Sequence, residues 1–201
     1  MPTVVVPFRG SDPKRRLAPL SDRDRLLIAQ AMLADVVAAA ALVGEVFVVS
    51  PESPYPACAG TAVNHVPDPH RGQGAAVQAG VYAAVSAGAP GSFLVVNADL
   101  PCLEPRDLLA LAGAVPADGL AFVAAEDGTT NALGFDDARL FEPLFGPGSA
   151  GRFAALGSSH RVDVPNLADD VDTLADLVRL AARAGPRTRA ALAAIPLGAA
   201  A

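Results

Sequence analysis

Three aspartates carry the chemistry that is easiest to defend from residue type and spacing alone. Asp99 lies just past the apolar residues of the run Phe93-Leu-Val-Val-Asn-Ala-Asp-Leu-Pro101, and Asp170 and Asp172 bracket one residue in Asp170-Val-Asp-Thr173. An acid carried just past a buried strand stands at the rim of a cleft, where it can ligate a hard cation such as Mg2+; it can equally cap a helix starting near Glu104. Asp172 and Thr173 likewise suit the cap of the last long helix. Two further polar clusters fall at strand ends. One is a basic loop from Arg9 to Arg16 containing Lys14 and Arg15, and the other is Gly72-Gln73-Gly74. Cations neutralise a polyphosphate, and glycines let backbone N–H groups approach it. Singly, a basic loop is a solvated face and a Gly-x-Gly is a turn. Successive strand ends carrying a basic loop, a glycine turn and separate carboxylates describe a nucleotide site.

The elements that must position these residues follow from hydrophobic period. Short apolar runs at 3–6, 45–50, 62–66, 93–97 and 120–125 predict strands, with 132–135 forming a hairpin partner and 160–164 a final strand. Helical spacing is expected from the Ser21-Asp22 cap through Val37. It recurs from the glycine turn to about Ala87, over 105–114, over 136–145, in a short helix entered by Gly146-Pro-Gly-Ser149 and ending near Gly157, and over 174–184. The tail, 186–201, is expected to add a helical turn or more and then fray. Alternation of strand and helix predicts an α/β fold, a single domain (core 3–184) whose mostly parallel sheet carries helices on both faces, with one antiparallel strand at the 132–135 hairpin.

Composition narrows the function classes. A length of 201 residues suits one core. No apolar stretch approaches the roughly 18 residues of a membrane span, and residues 1–7 run straight into a strand without the features of a signal peptide. A cytoplasmic protein without membrane partners is expected. The net charge of -6 argues against nucleic acid. Two cysteines, Cys58 and Cys102, make neither a disulfide framework nor a zinc pattern, and are expected as buried thiols. His65, His70 and His160 are not spaced as a ligand set.

From Thr3 to about Leu180 the order of motifs resembles the guanylyltransferases of coenzyme F-420 biosynthesis, which act on 2-phospho-L-lactate or phosphoenolpyruvate. Val5-Val-Pro-Phe-Arg9 followed by Lys14-Arg-Arg-Leu-Ala18 is similar to the family's Val-Pro-x-Lys and Lys-Ser-Arg-Leu, with Arg9 where Lys is usual. Asp99-Leu-Pro101 matches its Asp-x-Pro. Gly128-Thr-Thr-Asn-Ala-Leu133 and Phe145-Gly-Pro-Gly-Ser149 look like its acceptor-binding segments, and Asp170-Val-Asp-Thr-Leu-Ala-Asp-Leu177 matches its Asp-x-Asp-Thr-x-x-Asp-Leu. Where relatives commonly have Gly-Leu-Asn-x-Ala, this chain has Gly72-Gln-Gly-Ala-Ala76.

The resemblance implies a nucleotide-diphospho-sugar-transferase-like (Rossmann-like) fold and an enzyme using Mg2+ and GTP. It implies that Asp99, Asp170 and Asp172 bind the metal, that Lys14 and Arg16 act in catalysis on the triphosphate, and that Arg9, Gly72 and Gly74 help bind it. Thr130, Gly146 and Ser149 would bind the acceptor, phosphoenolpyruvate or 2-phospho-L-lactate. A homodimer is compatible with it. A nucleotidyltransferase of the molybdenum-cofactor type and a non-catalytic nucleotide-binding module are the alternatives.

Overall fold

Val4, Val5 and Val6 show how the layers arise. They follow one another in β1 (Thr3–Pro7) and are all fully buried, yet successive side chains of a strand leave opposite faces. Val4 and Val6 enter one hydrophobic core, and Val5 enters another. A strand buried on both faces must be covered by helices on both sides, which is the condition of a central parallel strand. The computed structural model describes residues 1–10, 17–18, 20–54, 57–89 and 91–195. Among these, seven strands form one sheet: β1, β2 (Glu45–Ser50), β3 (Asn64–Pro67), β4 (Phe93–Val96), β5 (Leu120–Ala124), β6 (Thr130–Phe135) and β7 (Ser159–Arg161). Their spatial order is β3-β2-β1-β4-β6-β5-β7.

β1 pairs in parallel with β2 and β4, β2 with β3, and β5 with β7. β6 is antiparallel to both β4 and β5, so the expected hairpin strand sits in the middle of the sheet. This has a functional consequence. The start of β6 lies beside the end of β4, with Val96 opposite Ala132, so residues entering β6 share a rim with Asn97 to Pro101.

Helices α1 (Asp22–Ala41), α3 (Pro105–Gly113) and α5 (Pro165–Ala168) supply Leu33, Val36, Leu108 and Leu167 to the first core. On the other face, α2 (Gln73–Ser86) and α4 (Ser149–Ala154) supply Val77, Val81 and Phe153. A third cluster gathers Leu17, Ile28, Met32, Cys102 and Val171 beneath α6 (Leu174–Leu180) and α7 (Pro186–Ala194). Cys58 and Cys102 are free and buried, and burial pushes both thiols above their ordinary range.

Three expectations are corrected. Residues 136–145 do not form a helix: a single 3-10 turn, Ala138–Leu140, is followed by irregular chain. Pro143 explains this, since it removes an interior N–H and bars the residue before it from helical geometry. Burial comes instead from aromatic packing, Phe141 on Phe135 at 5.8 Å and Phe145 on Phe153 at 5.4 Å. The last strand stops at Arg161, and Pro165 at the first position of α5 starts a short helix where 160–164 had been expected as strand throughout. The helix expected over 174–184 ends at Leu180; the helical turn or more expected of the tail is present as a helix of 9 residues, α7.

Candidate active site

The stretch from Ala168 to Thr173 is built to turn two carboxylates the same way. Val171 is fully buried in the third cluster, and its backbone N–H donates to the Asp99 carbonyl at 3.1 Å. In extended chain, neighbours of a buried side chain point the opposite way, so sinking Val171 turns Asp170 and Asp172 out together. The hydrogen bond to Asp99 sets them beside the end of β4. A carboxylate oxygen from each of Asp99, Asp170 and Asp172 lies within 4.8 Å of the others, and all three residues are half-buried.

Neither helix cap that these acids were suited to is theirs. Glu104 caps α3 with Asp107 returning the bond, and Thr173 caps α6 with Asp176, whose Oδ2 accepts from Thr173 N at 2.9 Å and Oγ1 at 2.7 Å. Three converging carboxylate oxygens are the donors that a hard divalent ion takes. The donor set therefore fits Mg2+.

Behind the acids lies an ion-pair group. Arg179 donates to Asp169 at 2.8 Å and to Asp176 at 3.2 Å, and Arg183 also bonds Asp169. Burial raises the Asp169 carboxyl, but hydrogen bonds from Arg179 and Arg183, and their charge, outweigh it and hold it below the usual range. Asp176 is likewise raised by burial and lowered further by bonds from Thr173, Arg179 and Asp172. Asp169, Asp176 and Arg179 border a cleft of about 390 Å³ that Asp170 and Asp172 also line.

On the other side, the expected acceptor segments meet at the start of β6. Ser149 Oγ donates to Thr130 Oγ1 at 3.0 Å, and both residues are buried. Ala150 N donates to the Gly128 carbonyl at 3.1 Å, tying the start of α4 to the β5–β6 turn. Gly146, at φ 111, takes a conformation that side chains resist. Arg152 fastens the loop, donating from Nη1 to the Pro147 carbonyl at 2.7 Å and from Nη2 to that of Leu144 at 2.8 Å.

At the rim of β3, Gly72 has φ 89 and begins α2, while a Cβ on Gly74 would come 2.6 Å from the Pro143 carbonyl. Arg9 is exposed just past β1. Lys14 and Arg16 lie outside the described residues.

Sequence reasoning assigned no part to Arg152, nor to the amides of Asn97 and Asn131, which bond each other at 3.2 Å. The available signal was a polar residue interrupting an apolar run, as Asn131 does before Ala132 to Phe135.

Acids and glycine turns at the carboxyl rim of a largely parallel sheet are the arrangement of an α/β nucleotide site. The profile of the MobA-like NTP transferase domain matches residues 15–160. A solved structure, a putative nucleotide-diphospho-sugar transferase from Desulfovibrio desulfuricans G20, superposes with a TM-score of 0.73 at 16% identity, covering 96% of this chain and 95% of that one. That likeness speaks to the fold. The phosphoenolpyruvate guanylyltransferase of Nocardia farcinica is 37% identical over 195 residues, 89% of this chain and 84% of the relative. The enzyme of that name from Geodermatophilus obscurus is 35% identical over 98% of this chain and 97% of the relative. The chain belongs to the phosphoenolpyruvate guanylyltransferase family, and it is an enzyme.

Proposed function

We propose that the protein transfers GMP from GTP to the phosphate of phosphoenolpyruvate, with 2-phospho-L-lactate as the alternative acceptor, and so serves coenzyme F-420 biosynthesis. The observation that carries this reading is the meeting of Asp99, Asp170 and Asp172 at one rim. The names of the relatives support the nucleotide and the acceptor. An oxygen of the acceptor phosphate attacks the α-phosphorus, the bond to the β-phosphate oxygen breaks, and its electron pair leaves with pyrophosphate. With a second pKa near 6, that phosphate is largely ionised at neutral pH, so no strong general base is required.

The work left to the protein is alignment and charge neutralisation. Asp99, Asp170 and Asp172 would hold Mg2+, which neutralises phosphate charge when bound. Lys14 and Arg16, with Arg9 beside them in sequence, are assigned to the triphosphate. Gly72 and Gly74 allow the backbone to approach it closely. Thr130, Ser149 and Gly146 are assigned to the acceptor. One hydroxyl of the Ser149–Thr130 pair supplies the proton of the bond they share, which leaves the other hydroxyl's proton to donate.

The test is pyrophosphate release. With GTP, Mg2+ and phosphoenolpyruvate or 2-phospho-L-lactate, release is expected to require all three components; no release with either acceptor overturns the reading.

A further inference from the structure

Three side-chain amides cross the rim of the sheet in single file. Gln73, in the first turn of α2, donates from Nε2 to Asn97 Oδ1 at 2.7 Å. Asn97, just past β4, donates from Nδ2 to Asn131 Oδ1 at 3.2 Å and to the Thr130 carbonyl at 3.4 Å. Asn131, in β6, donates from Nδ2 to the Ala168 carbonyl at 3.3 Å.

The far end forces the direction of the file. A main-chain carbonyl can only accept, so the Ala168 oxygen demands the NH2 of Asn131, which leaves the Asn131 oxygen facing Asn97. The NH2 of Asn97 must then point to Asn131 and to the Thr130 carbonyl, and its oxygen takes the NH2 of Gln73. Each amide has one orientation that satisfies its neighbours, and Asn131 is only 1% exposed, so a reversed amide there would leave buried groups unpaired.

The ends of the file give it meaning. Asn97 stands two residues before Asp99, and the Ala168 carbonyl stands two residues before Asp170. Gln73 lies between Gly72 and Gly74. The file thus joins the strand that carries one acid, the segment that carries the other two, and the turn assigned to the nucleotide.

We propose that Gln73, Asn97 and Asn131 are positioning residues that hold the Asp170–Asp172 segment against Asp99 and couple that geometry to the first turn of α2. This rests on the reading of the three acids as a metal site. Partners that orient metal ligands typically change metal affinity when removed, and the effect here should appear before any substrate is added.

The protein is titrated with Mn2+ alone, the unbound ion being read by electron paramagnetic resonance, and every variant is melted without metal. Gln73→Met keeps length and removes the donor at a half-buried position. It is expected to leave the metal-free melting temperature within about 2 °C of wild type while weakening Mn2+ binding several-fold. Asn131→Ala is expected to weaken it by about tenfold or more, and the two changes together by less than the product of their separate effects. Asp99→Asn is the control. If wild type and Asp99→Asn bind Mn2+ alike, the metal-site reading fails and this inference with it. If Asp99→Asn loses Mn2+ while Gln73→Met binds as wild type does, the file positions nothing, whatever Asn131→Ala shows, and only the metal reading stands. Should Asn131→Ala not fold, Gln73→Met decides alone.

Discussion

At the scale of single residues, Val171 matters to the site as much as the acids on either side of it. Its burial turns Asp170 and Asp172 outward, and its N–H on the Asp99 carbonyl fixes their distance from the third acid. Removing two buried methylenes' worth of contact in Val171→Ala is expected to cost about 2 kcal/mol, transfer and cavity together. Urea denaturation measures that loss, and pyrophosphate release should fall with it because the acid segment loses its seat. The acids themselves should behave in the opposite manner. Asp99→Asn, Asp170→Asn and Asp172→Asn keep shape and remove charge from a half-buried rim. Each is expected to lower pyrophosphate release by about a hundredfold or more with little change in metal-free melting. Retained turnover in Asp99→Asn would remove the central ligand from the scheme. A helix-capping role for these acids is closed by the caps that Glu104 and Thr173 provide.

At the scale of elements, α7 shows how a segment of low local information is fixed from a distance. Asp35, buried within α1, accepts from the backbone N–H groups of Arg187 at 3.1 Å and Thr188 at 2.8 Å, so a side chain of one helix caps another about 150 residues away. Asp35→Ala leaves those two N–H groups unanswered and is expected to cost about 2 kcal/mol, a fall of about 4–8 °C in melting temperature for a chain of this length. A thermal melt checks it. The sequence could not display this pairing, so the tail reads only as a helical turn or more that then frays. The same physics sorts the rest. Strands β1, β2 and β4 were legible because burial on both faces demands unbroken apolar runs, and Asp99 was legible because it closely follows such a run, whereas Asp170 and Asp172 follow the short helix α5 and were legible only by their motif. Residues 136–145 misled because Leu140, Phe141, Leu144 and Phe145 have helical spacing, while the one residue against it, Pro143, decides. Asn97 with Asn131, 34 positions apart, and Asn131 with Ala168, 37 apart, leave no local trace.

At the scale of the whole molecule, acid stability reports on the scaffold behind the site. Asp169 ties Arg179 of α6 and Arg183 just beyond it to the acid-bearing segment, Asp176 pairs with Arg179 within α6, and both carboxyls lie below their ordinary range in the folded protein. Asp137, paired with Arg139 on the surface, is lowered to about 2 by that hydrogen bond. The unfolded chain takes protons on such residues near pH 3.9, before the folded chain does. Their contribution to stability is therefore complete above that pH and drains away as pH falls through the lower folded-state values. The Arg179 and Arg183 side chains are 49% exposed, so solvent and salt screen part of the effect. Urea midpoints between pH 6 and about 2.5 are expected to fall steeply below pH 4, and Asp169→Asn should flatten that fall while leaving Arg179 its bond to Asp176. Raising the salt concentration should shrink the difference between wild type and variant without abolishing it, since the Asp169 side chain is only 27% exposed. If Asp169→Asn follows the wild-type curve below pH 4, the Asp169 ion pairs contribute nothing to holding α6 against the acid-bearing segment.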